Sequence, residues 1–155
     1  MKVRLCSFSM LTILLLLVAN SSSAGEPAGA EDAKGLLADA VAYMEKVGPT
    51  KAFCAFNDRT GRFHKGPLYV FVINMDGVYF AHSAAPSLVG TSLRDLRDAD
   101  GKLFGKTIME LVTTKGEGSV DYKFTNYASG KVENKHTFVK KVGDWFVLGA
   151  GYYSQ

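Results

Sequence analysis

One stretch restricts the fold of this chain more than any other: Leu68–His82, LYVFVINMDGVYFAH. Leu68 to Met75 is rich in Val, Ile, Tyr and Phe, side chains that suit a pleated surface. Apolar residues occupy both of its faces, which predicts an interior strand covered on both sides. Asp76-Gly77 is a tight-turn signal. Val78 to His82 then returns as the partner strand, and Pro86 ends it. Such a hairpin is not stable alone, so the remaining chain must widen it into a sheet and cover it.

The segments around it supply both. Upstream, Leu37, Val41 and Met44 recur at helical spacing with Leu36, Ala40, Tyr43 and Val47 beside them, predicting one long amphipathic helix from Glu31. Glu31 and Asp32 suit its N-terminus. Gly48-Pro49 punctuates its end, and Pro49 starts a second helix whose apolar side carries Ala52, Phe53 and Phe56. Downstream, Ser92 to Gly101 is charged and irregular. Asp100 is placed to cap a third helix from about Lys102, with Phe104, Ile108, Leu111 and Val112 on one face and Gly116 as its stop. Three more strands follow, Ser119–Thr125, Lys131–Val142 and Trp145–Tyr153, broken at Ala128-Ser129-Gly130 and Gly143-Asp144. The expected architecture is α+β: a five-stranded antiparallel sheet in which the opening pair is the central hairpin, with a long N-terminal helix and further helices packed against it.

The first 24 residues stand apart. Met1-Lys2-Val3-Arg4 is basic, Leu5 to Ala19 is almost wholly apolar, and Ser22 and Ala24 are small residues at the −3 and −1 positions of a cleavage site. This pattern predicts a secretory signal peptide at 1–24. Its apolar run falls short of the roughly 20 residues of a spanning helix. A flexible leader, 25–30, and a single domain, 31–155, complete the expected organisation. The last strand ends the chain, so no further membrane span or signalling module is expected.

Removal of 24 of the 155 residues leaves 131, with 16 basic against 15 acidic side chains, a net of +1. No basic stripe of the kind that binds nucleic acid is present. Cys54 is the sole cysteine after Cys6 leaves with the signal, so no internal disulfide can form.

Several side chains carry two readings each. Lys135 either points into the sheet's concave face, where its ammonium would anchor a carboxylate, or lies outward with Lys131, Lys140 and Lys141; strand alternation does not decide. Tyr69 and Phe71 share one strand face as pocket lining or as core, Phe71 reading first as core. Tyr122 and Phe124 pose the same choice, and Tyr122 is the better pocket candidate, being polar. His82 either donates to a ligand or satisfies a loop carbonyl. Asp98-Ala99-Asp100-Gly101 fails as a calcium loop, because Leu96 and Thr107 would fill its first and twelfth positions. These aspartates read as turn and cap groups, with a pocket role for Asp98 as the lesser alternative, and no metal or cofactor is expected. Cys54 reads as a small buried residue, and as a nucleophile it would need a base brought by the fold.

Taken together, Leu68–Val72, Asp76-Gly77, Ala81-His82, Leu88-Val89-Gly90, Asp98–Lys102, Lys115–Gly118, Asp121-Tyr122, Lys131–Lys135 and Asp144–Tyr153 resemble the single Cache sensor domain of the second type. The similarity covers about Asp32 to Tyr153. The resemblance implies a PAS-like fold, an extracytoplasmic setting (periplasmic or secreted) and binding of a small ligand, often an organic acid. It favours the anchor reading of Lys135, with Tyr69, Phe71, Tyr122, His82 and Phe138 around it. Phe138 stands where the family commonly shows tyrosine. The implied role is a sensor module, not an enzyme, whose output passes to a membrane receptor or another periplasmic protein. Two alternatives stay open: an assembly domain without a ligand, and a small enzyme using Cys54 or a histidine.

Overall fold

The computed structural model describes residues 28–154. The expected signal peptide and the first part of the leader lie outside the described residues. Helix α1 spans Ala30–Val47 and buries Ala33, Leu36, Leu37, Ala40, Val41 and Met44, the stripe read from the sequence. Asp32 Oδ2 accepts the Gly29 N–H at 3.0 Å, satisfying a donor at the helix start. Gly48 (φ 81°) turns the chain, and Pro49 opens α2, Pro49–Asn57, which buries Ala52 and Phe56.

The strands are β1 (His64–Lys65), β2 (Leu68–Asn74), β3 (Tyr79–His82), β4 (Glu117–Asn126), β5 (Lys131–Val142) and β6 (Phe146–Ser154). All adjacent pairs are antiparallel, in the order β1-β2-β6-β5-β4, and β3 pairs with β2. The two-residue β1 and the longer β3 therefore share one side of β2. This corrects one expectation. The β2–β3 hairpin is a flank of the sheet, and the last strand, β6, runs through its middle. β2 is still interior, with its first six residues buried. Each large aliphatic side chain so covered contributes about 1.5–3 kcal/mol.

Two details of the turn regions also differ from expectation. Val78 lies outside β3 and forms a lone bridge to Ser92. Helix α3 spans Phe104–Lys115 and starts after Leu103 without a side-chain cap. Asp98, not Asp100, organises that approach: its carboxylate accepts the N–H groups of Asp100 and Lys102 (both 2.9 Å) and of Lys123 on β4 (3.1 Å). The helix starts two residues later than expected, so Leu103 holds the N-cap position and Asp100 lies outside it. Asp100 instead pairs with Lys123. Gly116 ends α3 in the left-handed conformation, as expected.

The sheet is covered on both sides. Helices α1 and α2 pack over Val70, Val72, Leu148 and Ala150 with Phe56 and Phe63. Helix α3 packs over Phe71, Ile73, Val120, Val139 and Val147 with Phe104 and Ile108. Gly105 of α3 rests so closely on Leu93 that a Cβ there would fall 1.8 Å from the Leu93 carbonyl oxygen. The odd-numbered side chains of β2 and β5 face α3, and the even-numbered ones face α1.

Candidate functional site

Register places Lys135 between two tyrosines. On β5 it pairs with Tyr122 of β4 on one side and Tyr153 of β6 on the other. Its side chain turns to the α3 face and is 2% exposed. The amine nitrogen donates to Tyr69 Oη at 2.5 Å. It also lies 3.9 Å from the Tyr69 ring centre, 5.0 Å from that of Tyr153 and 5.4 Å from that of Phe124. Tyr69 Oη contacts Tyr153 Oη at 3.2 Å, and Tyr153 Oη donates to the Thr125 carbonyl at 2.8 Å. None of the ion pairs among the described residues includes Lys135. Burial alone holds its pKa well below the ordinary lysine value.

His82 closes the same cluster from β3. It is 2% exposed, and its Nδ1 accepts the Ala85 N–H at 2.9 Å. A neutral ring so bonded carries its proton on Nε2. The imidazole lies 4.8 Å from the Tyr69 ring and stacks on Phe71 at 6.2 Å. Burial, followed by the charge of Lys135, lowers its pKa to about 3. Tyr122 stacks on Phe104 of α3 with ring centres 4.1 Å apart, and its hydroxyl meets Thr137 Oγ1 at 3.0 Å. Burial raises the pKa of both Tyr69 and Tyr122.

Five of the six candidates read from the sequence therefore lie on one face: Tyr69, Phe71, His82, Tyr122 and Lys135. Phe138 does not join them. Its even position turns it to the α1 side, where Lys34 lies over its ring at 5.4 Å. The common tyrosine at this position would stand apart from Lys135 in this chain. Phe124, weighed beside Tyr122, joins the cluster, and Tyr153 and Tyr127, which the sequence reading does not single out, complete it. Tyr153 was within reach of sequence reasoning, because a tight Gly143-Asp144 hairpin pairs Val142 with Phe146 and, counting outward, Lys135 with Tyr153. Tyr127 is a loop residue with no such signal.

Cys54 is exposed on α2, contrary to the expectation of a buried thiol. Ala52 and Phe56 face the core, and Cys54 lies between them in sequence, about 200° around the helix. Among the described residues no group of three or more His, Cys, Asp or Glu side chains could hold a metal ion. No described helix is long and apolar enough to cross a membrane.

Two concavities reach candidate residues. An open one of about 410 Å³ is lined by Lys135 and Tyr122 with Asp98, Asp100, Asp121, Lys102 and Lys123. A larger groove of about 550 Å³ lies on the opposite side between α1 and β4–β5, lined by Leu37, Val41 and Phe138 with Glu45 and Lys140. The smaller one is the better candidate site, because the buried Lys135 is among its lining residues, and a buried charge needs a partner.

An antiparallel sheet flanked by helices in this order is a PAS-like fold. The chain belongs to the single Cache domain 2 family, whose model matches residues 59–155. Members of this family are sensor modules. The fold is similar to that of a methyl-accepting chemotaxis protein from Vibrio parahaemolyticus (22% identity, TM-score 0.68, covering 79% of this chain and 86% of that one). It is also similar to the periplasmic sensor domain of a chemotaxis protein (25%, 0.61, 81% and 90%). A third similar structure is a Cache chemosensory domain described for its recognition of carboxylic acids (20%, 0.62, 81% and 88%). No curated protein matches the chain.

Proposed function

We propose that this domain binds a small organic acid, with Lys135 as the anchor for its carboxylate. The observation that carries the reading is a fully buried amine held by a phenol and three aromatic rings, with no carboxylate beside it. Buried without a counter-charge, the amine is driven toward its neutral form. A carboxylate seated beside it stabilises the ammonium form and gains a charge-assisted hydrogen bond. Tyr69, Tyr122, Tyr153 and His82 supply the neutral polar contacts. The relative described for carboxylic acid recognition supports the same ligand class.

In this reading, residues 1–24 direct export, 25–30 form a leader, and 31–155 work as one domain in the periplasm or outside the cell. The ligand-bound state is passed to a membrane receptor or another periplasmic protein. A thermal-shift screen of the mature protein against small organic acids tests it. At least one acid raises the melting temperature of the wild type, and that acid loses its effect on Lys135→Ala. Should the alanine variant not fold, Lys135→Met serves in its place. No stabilising acid, or an equal response in the variants, would reject the reading. The groove along α1 favours a second reading, an assembly domain without a ligand, and a wild type indifferent to every acid would support it.

A further inference from the structure

The groups facing the Lys135 amine contain no acid. β2 contributes the phenol of Tyr69, β3 the imidazole of His82, β4 Tyr122 and Phe124, and β6 the phenol of Tyr153. On its own strand the next inward residue is Thr137, which is neutral. From α3, Phe104 reaches the cluster only through its stack on Tyr122. The neighbouring carboxylates are engaged elsewhere. Glu133 accepts from Asn126 Nδ2 and Ser129 Oγ, Asp98 holds three backbone N–H groups, and Asp121 pairs with His136. At the mouth, Lys123 pairs with Asp100 and Lys102 donates to the Asp121 carbonyl.

From this arrangement we infer that a small monocarboxylate enters the site together with one proton, and that Lys135 is the group that gains it. The inference rests on the carboxylate reading above. In the empty site the amine has a neutral phenol as its partner, so burial favours the uncharged form. The anion brings the missing counter-charge and stabilises the ammonium. The reaction is amine plus proton plus carboxylate to ammonium–carboxylate pair, with the proton drawn from solvent and the charge of the site unchanged. No other member of the cluster competes for that proton. His82, lowered to about 3, stays neutral, and the phenols of Tyr69, Tyr122 and Tyr153 are pushed up. A second carboxylate, or the ammonium of an amino acid, would find no opposite charge left over inside the cluster. Linkage then requires affinity to fall with rising pH above the pKa of the empty-site amine, by up to about tenfold per pH unit, and to be flat below it.

The experiment uses the mature protein with lysines labelled with ¹³C at Cε, the Lys135 signal being identified by its loss in Lys135→Arg. Without ligand, that signal should titrate well below the ordinary lysine range. The most stabilising of acetate, propionate, lactate and pyruvate is then added, and the midpoint should move up. Calorimetry at pH 8.5 in two buffers of different ionisation heat should report uptake of up to one proton per acid bound, absent in any residual binding by Lys135→Arg. An empty-site amine that titrates like a surface lysine overturns the inference whether or not an acid binds. Binding with pH-independent affinity and no buffer-dependent heat overturns it and leaves the carboxylate reading standing. Failure of all four acids to bind, with a Lys135 that does titrate low, counts against the carboxylate reading and removes the coupling with it.

Discussion

Replacing Lys135 by methionine should make the protein more stable while abolishing its response to acids. The two side chains have similar length and volume, so the cage around residue 135 stays filled. Tyr69 Oη loses one partner and keeps another, Tyr153 Oη at 3.2 Å, so no polar atom is orphaned. Exchanging buried ions for well-packed apolar groups is often neutral or stabilising by about 1–4 kcal/mol. Loss of cation–π contacts offsets about 0.5–2 kcal/mol of that while the amine is charged. The pH dependence is the sharper test. The unfolded chain binds a proton at residue 135 up to its ordinary pKa, and the folded chain loses it earlier, because burial lowers the value. Between the two, the unfolded state holds more protons, so wild-type stability rises with pH by about 1.4 kcal/mol per unit. The advantage of the methionine variant is therefore largest and constant below the folded-state pKa. It shrinks as pH rises above it. Urea unfolding followed by circular dichroism at half-unit steps from pH 6 to 9.5, in carboxylate-free buffer, measures this. Taking the difference between the two proteins cancels the other titrating groups. A methionine variant less stable at every pH, or a difference that stays flat across the range, would refute the reasoning.

Four further outcomes follow from the packing. Gly149→Ala would place a Cβ 2.2 Å from the Phe71 ring, which is itself buried, so it should destabilise by about 1–3 kcal/mol in urea unfolding; a change under about 0.5 kcal/mol would mean that the ring has room to move. Tyr69→Phe removes the hydroxyl that holds the amine and should weaken acid binding at least about tenfold by calorimetry. Phe138→Tyr, on the other face, should leave affinity within about twofold, and a gain there would show that Phe138 reaches the ligand. Cys54 should react with a thiol reagent in the folded protein at nearly the rate seen after unfolding, and strong protection would contradict its exposed position.

Much of the scaffold can be read from local pattern because its causes are local. The α1 stripe, the Gly48-Pro49 junction, the Gly116 stop and the Gly143-Asp144 turn each depend on residues within a few positions. The sheet order is not local. β6 inserts between β2 and β5 from the end of the chain, which displaces the β2–β3 hairpin from the centre. The orientation of Lys135 has the same character. Lys131 and Lys135 share a strand face, yet Lys131 is exposed and Lys135 buried, because Tyr69, sixty-six positions away, covers only the latter. Phe138 is a different case. Alternation alone sets it opposite Lys135, so one pocket cannot hold both side chains. Likewise, its angular position on α2 already turns Cys54 away from Ala52 and Phe56. The turn at Asp98 was not legible, since either aspartate can fold back on the chain and only the approach of Lys123 on β4 favours the first.

A crystal of the mature domain grown with its most stabilising acid tests the central claim most directly. The account predicts a carboxylate oxygen within hydrogen-bond distance of the Lys135 amine, with Tyr69, Tyr122 or Tyr153 as neighbouring donors. An acid seated instead in the groove beside Phe138, with Lys135 still closed against Tyr69, would contradict it.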